Sequence, residues 1–250
     1  MSETGPPPRP VAPPPRARVA WGLPDVAIAW GAGVLLSLFS VAFAPAAHAP
    51  RREMVPELVA ALVLQSVGVV AALAWIARQK GLGSLEADFG AVRPDRALGW
   101  RGVVLWLAAG VALSFVAGNL ILQPIVDLAH LHGKTPQDVS KTVEAATGAG
   151  AVLLGLAVGL LAPVAEELLF RGALLRALLR RTTAPWAVLG SALIFAAAHV
   201  IGDPGAGYVF PGLLLLGLVS AYVALRTGNL ASSMLLHIGF NLLSTIVILK

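Results

Sequence analysis

Apolar runs of about 18 residues or more recur along this 250-residue chain, and short stretches between them hold most of its charge. An α-helix needs about 20 apolar residues to cross a bilayer core roughly 30 Å thick. Inside hydrocarbon every backbone N–H and C=O must find a partner within the protein, which leaves helices and closed barrels as the spanning forms. A barrel is written in alternating segments of about 10 residues, and these runs do not alternate. Only 12% of the residues are charged and 57% are hydrophobic, against roughly 25% charged in a soluble domain. The expected fold is therefore all-α, a polytopic transmembrane helical bundle. Apolar helices are expected at about 25–47, 57–78, 100–126, 148–180, 185–201, 207–226 and 229–249, about seven crossings in all. The fourth run is too long and too polar at its end for one simple crossing. It is either one long tilted helix or a helix that bends at Pro163 into a second, amphipathic part.

The N-terminal stretch MSETGPPPRPVAPPPRARVAWG is rich in Pro and Arg and has no apolar core, so it is neither a cleavable signal nor a packed element. Residues 1–22 are expected to be a disordered cytoplasmic tail, and 23–250 a single integral membrane domain. There is no cysteine, which excludes disulfides, thiol nucleophiles and cysteine metal sites. The net charge of +5 does not point to nucleic acid, because the basic residues lie at apparent helix ends rather than on one soluble face. With the N-terminus inside and seven crossings, the inner segments hold 13 Arg and Lys and the outer ones 5. The positive-inside rule favours that orientation. Abundant Arg, Ala, Gly and Pro fit a bacterial protein, and hence a cell (inner) membrane location.

Ionisable groups on membrane helices cost about 2.5–3.5 kcal/mol each, so a group of them marks a functional site. The candidates are Glu166, Glu167, Arg171, His199, His237 and Asn241. Glu166 lies 15 residues before Arg181, and His199 lies 14 after Pro185. At about 1.5 Å per residue both are some 21–23 Å from the RRTTAPW turn, so a hairpin brings them level. His237 and Asn241 come out shallower, at about 12 and 18 Å from Asn229, a gap that helix tilt can close. Adjacent Glu166 and Glu167 diverge by about 100°, whereas Glu167 and Arg171 are i,i+4 neighbours able to form an ion pair. That pair reads as structural, and Glu166 as the free carboxylate. His237 and Asn241 share one helix face, as do Phe195 and His199. Asp203, His48, His130 and His132 fall in expected loops and carry no assignment.

EELLFR, FAAAH and HIGFN, in this order on successive late helices, resemble the EExxxR, FxxxH and HxxxN motifs of the CAAX protease and bacteriocin-processing family of intramembrane proteases. The resemblance covers about 148–245. It implies an intramembrane endopeptidase acting on a membrane-associated or lipidated protein or peptide within the bilayer. It implies Glu166, His199, His237 and Asn241 as catalytic residues, supported by Glu167 and Arg171. On this reading Glu166, helped by His199, takes a proton from water, while His237 and Asn241 donate to the oxyanion. No cofactor is then required. The alternative is Zn²⁺ held by Glu166, His199 and His237 with one open position.

Serine and aspartyl intramembrane proteases fit poorly. VLGSAL lacks the spacing of a GxSG motif, and the IGD around Asp203 is not a GxGD. The rival class is a non-catalytic membrane scaffold, an immunity protein, or a transporter using the same polar cluster. No inverted repeat supports transport.

Overall fold

The computed structural model describes residues 19–46, 49–92, 94–130, 145–201 and 204–248. His48, His132, Asp203 and most of the expected tail lie outside these residues. Among those described there is no strand, and the elements are helices. Helix α1 is Leu23–Ser37 and tightens into a 3₁₀ turn, Leu38–Phe43; α2 is Val55–Lys80 and α3 the short Leu85–Phe89. Helix α4, Pro94–Val116, runs on through Ala117–Leu122 into Gln123–Leu128. Helix α5 is Gly148–Leu179, α6 Ala184–Val200, α7 Phe210–Thr227 and α8 Ala231–Ile248.

Five of the apolar runs are helices long and apolar enough to cross a membrane: Leu23–Phe43, Arg51–Lys80, Ala97–Leu128, Gly148–Leu179 and Ala206–Thr227. The other two expected crossings are shorter apolar helices, Ala184–Val200 and Ala231–Leu243. Large apolar side chains face outward along the spans, among them Leu35, Phe39, Leu105, Leu120 and Trp186. Water would penalise such a surface and lipid does not. The protein is an integral membrane protein.

The fourth run is helical without a break from Gly148 to Leu179. It alternates between α and π hydrogen bonding, with wide turns at Ala157–Leu161 and Leu168–Leu174 that flank a short α stretch, Ala162–Glu167. Pro163 follows the first wide turn, and in a regular α-helix its ring would clash with the Gly159 carbonyl four residues back. In the i→i+5 register Val158 would bond the N–H of residue 163, which is proline and has none.

Without a hydrophobic drive between helices in lipid, close packing through small residues holds the bundle. Helices α4 and α8 meet at glycines, and a methyl on Gly239 or Gly110 would overlap the Leu107 or Leu236 carbonyl respectively. Gly217 of α7 lies against Ala192 of α6, so that an added Cβ would stand 3.0 Å from it. These contacts fix α8 against α4 and α7 against α6.

The end of α5 is tied down by a polar knot. Ser84 caps α3 by accepting from the Ala87 N–H, and Gly90 ends it in the left-handed region at φ 77°. The buried Asp88 accepts from Trp21 Nε1 at 2.9 Å and from the Leu82 N–H at 2.8 Å. Arg180 lies over the Trp21 ring at 4.0 Å and donates to the Trp21 carbonyl, while Arg176 donates to the carbonyls of Asp88 and Gly228. Both arginines belong to the C-terminal end of the helix that carries Glu166.

Candidate active site

Three helices deliver five of the six polar residues to one place. Helix α5 brings Glu166, Glu167 and Arg171, α6 brings His199 and α8 brings His237. The shallower depth expected for His237 does not keep it away, because its Nε2 lies 3.7 Å from Glu166 Oε2, as does the Nε2 of His199.

The two carboxylates occupy opposite environments. Glu167 is fully buried, and its Oε1 sits 3.1 Å from Arg171 Nη1 and 3.1 Å from His237 Nδ1. Arg171 is equally buried, donates through Nη2 to the Gly217 carbonyl, and has its guanidinium 4.3 Å from the centre of the Phe195 ring. Glu166 and His199 keep 27% and 31% of their side-chain surface exposed. Both thus keep an exposed edge, whereas Glu167, Arg171 and His237 are buried.

The hydrogen bonds also settle which ring nitrogens face Glu166 as acceptors. His199 Nδ1 is 2.8 Å from the Phe195 carbonyl, which can only accept, so Nδ1 carries a proton. His237 Nδ1 faces the Glu167 carboxylate and carries one for the same reason. In the neutral rings each Nε2 therefore presents a lone pair to the Glu166 carboxylate. A separation of 3.7 Å is too long for a direct bond and suits a donor held between the groups.

Phe195 organises the centre. It meets Phe170 edge-on at 5.2 Å, and its ring centre is 4.6 Å from that of His199 and 5.6 Å from that of His237. Asn241 takes a different position. Its Nδ2 donates at 3.0 Å to the Val158 carbonyl, supplying the N–H that Pro163 lacks. One of its two amide protons is thus committed to α5.

Residues 148–243 match the family model described as Rce1-like, type II CAAX prenyl endopeptidase. The motif-bearing core is thus similar to that family. The matched span takes in α5, α6, α7 and most of α8, and with them all three motifs that carry the resemblance. No curated protein and no solved structure matches the chain.

Sequence reasoning missed two contributors to this core, the Gly217 carbonyl on Arg171 and Ser191. The latter, fully buried, donates from Oγ to the Phe170 carbonyl at 2.9 Å. A backbone carbonyl leaves no trace in sequence. Ser191 does leave one, because it precedes Phe195 by four residues and His199 by eight and so shares their helix face.

Proposed function

We propose that the protein is an intramembrane endopeptidase that hydrolyses a peptide bond of a membrane-associated or lipidated protein or peptide, with Glu166 activating water. The family description supports the peptidase class. The observation that carries the chemistry is the convergence of two imidazole Nε2 atoms on one accessible carboxylate oxygen, each at 3.7 Å.

A water held there donates one proton to Glu166 and the other to an Nε2. As the water oxygen attacks the scissile carbonyl carbon, Glu166 takes its proton and a C–O bond forms. The carbonyl oxygen becomes an oxyanion, which accepts from the second Asn241 amide proton, while the His237 Nε2 lone pair holds the attacking water's other proton. A preorganised donor of this kind is worth about 2.7–4 kcal/mol. Glu166 then hands its proton to the leaving nitrogen, the C–N bond breaks, and a carboxylic acid and an amine result. Glu167 stays out of the reaction, fixing His237 through Nδ1.

Two imidazoles and a carboxylate are the right donor types for zinc, yet among the described residues no group of three is spaced to hold a metal ion. No step here runs through a metal. The proposed setting is a bacterial cell membrane with the N-terminus in the cytoplasm, supported by the distribution of basic residues.

The test compares cleavage of membrane peptides by purified wild type, Glu166→Gln and His199→Ala, with and without a strong chelator. Loss of cleavage in both variants and indifference to chelation are expected. Equal cleavage by all three proteins defeats the catalytic assignment, and cleavage by none favours a scaffold. Inactivation by the chelator that added zinc reverses defeats the metal-free mechanism.

A further inference from the structure

Ser191, Phe195 and His199 succeed one another at four-residue steps on α6, and each touches α5. Ser191 Oγ donates to the Phe170 carbonyl at 2.9 Å. Phe195 packs on the Phe170 ring and under the Arg171 guanidinium, and His199 faces Glu166. Phe195 and His199 hold by ring contact and by a 3.7 Å separation, neither of which fixes how far one helix slides along the other. The Ser191 bond is short, directional and wholly buried, and its acceptor lies within the wide turn Leu168–Leu174 that carries Arg171.

We infer that Ser191 is a positioning residue, which sets the register of α6 against α5 and so holds the His199 Nε2 at its working distance from Glu166. The activity arm of this inference rests on the peptidase reading above; its spectroscopic arm does not. The hydroxyl is not needed to satisfy the backbone, because the Phe170 carbonyl also accepts the Leu175 N–H across the wide turn. Removing it leaves no orphaned carbonyl, so its loss registers in geometry rather than in folding.

The experiment compares Ser191→Ala, Ser191→Thr and Ser37→Ala with wild type. Ser37 makes the same kind of bond, from Oγ to the Val34 carbonyl at 2.7 Å, on the exposed surface of α1. Ser191→Ala is expected to keep the wild-type melting temperature while kcat falls about tenfold at unchanged KM, as misplacement of a reacting group by a fraction of an ångström dictates. Its pH–rate profile is displaced. Ser191→Thr, which restores the hydroxyl, recovers most of the rate, and Ser37→Ala matches wild type throughout. The inference is overturned if Ser191→Ala keeps the wild-type kcat and pH profile, or if its kcat falls only in proportion to folded protein. If wild type cleaves nothing, the peptidase reading falls. The register is then read from the ring signals of isotope-labelled His199, which Ser191→Ala displaces if Ser191 positions the ring and leaves unchanged if it does not.

Discussion

Arg171 is the largest fully buried side chain among the described residues, and its charge is balanced inside the bundle by Glu167 at 3.1 Å. Arg171→Met keeps an unbranched side chain of similar reach and removes the cation. Glu167 is then a buried carboxylate with no cation beside it, left with His237 and Ser233 as hydrogen-bond partners. Removing one member of a buried pair costs about 3–5 kcal/mol, mostly the penalty of the stranded charge. Adding Glu167→Gln removes that charge while leaving a carbonyl oxygen for the His237 Nδ1–H. What stays lost is the cation over Phe195, worth about 0.5–2 kcal/mol, and the bond to the Gly217 carbonyl. The double variant should therefore recover about 2 kcal/mol or more of the single variant's deficit, a coupling within the range found for contacting residues. The assay is reversible unfolding in micelles, monitored by helix content, on the four proteins of the cycle. A single-variant cost below about 1 kcal/mol, or a double variant no more stable than the sum of the two singles, refutes the pairing argument.

Gly239→Leu places side-chain atoms into the Leu107 carbonyl and pushes α8 off α4. A loss of about 1–3 kcal/mol or more is expected, with cleavage lost although residue 239 is none of the six polar residues; melting temperature and peptide turnover read both. Asn241→Ala leaves the Val158 carbonyl without the donor that replaces Pro163, at about 1–3 kcal/mol. Pro163→Ala restores a backbone N–H, so the stability cost of Asn241→Ala should shrink in that background; equal costs in both, measured by unfolding, would sink the account. Trp21→Ala removes the ring under Arg180 and the donor to Asp88. About 3–5 kcal/mol is expected, seen as earlier thermal unfolding.

The bundle was legible in the sequence because bilayer thickness imposes helix length, and the seven expected runs coincide with the observed helices to within a few residues. The motifs were legible because an ionisable group on an apolar helix stands out. The Glu167–Arg171 pairing followed from helix period alone, and level placement of Glu166 and His199 followed from counting along a hairpin. The Asn241–Val158 bond was not legible, since its acceptor is exposed only by a wide turn, and a proline signals a missing donor without telling which helix will replace it. The knot at Asp88 was hidden for a related reason. Its partners, Trp21, Leu82 and Arg176, are brought together by helix packing and share no sequence period. The glycine contacts between α4 and α8 were invisible because a chain with 26 glycines offers many candidate approaches and no way to rank them.

Why two glutamates stand side by side also has an answer in the geometry. Neighbours on a helix diverge by about 100°, so Glu166 and Glu167 cannot serve one cavity together. Glu167 turns inward to Arg171 and Glu166 outward to the accessible space. His237, from another helix, bridges them, with Nδ1 on Glu167 and Nε2 towards Glu166. Glu167 thereby sets which nitrogen of His237 is protonated, and so whether Glu166 meets a lone pair or a proton. Its influence on Glu166 passes through an imidazole 70 residues away in sequence, although the two carboxylates are adjacent in the chain.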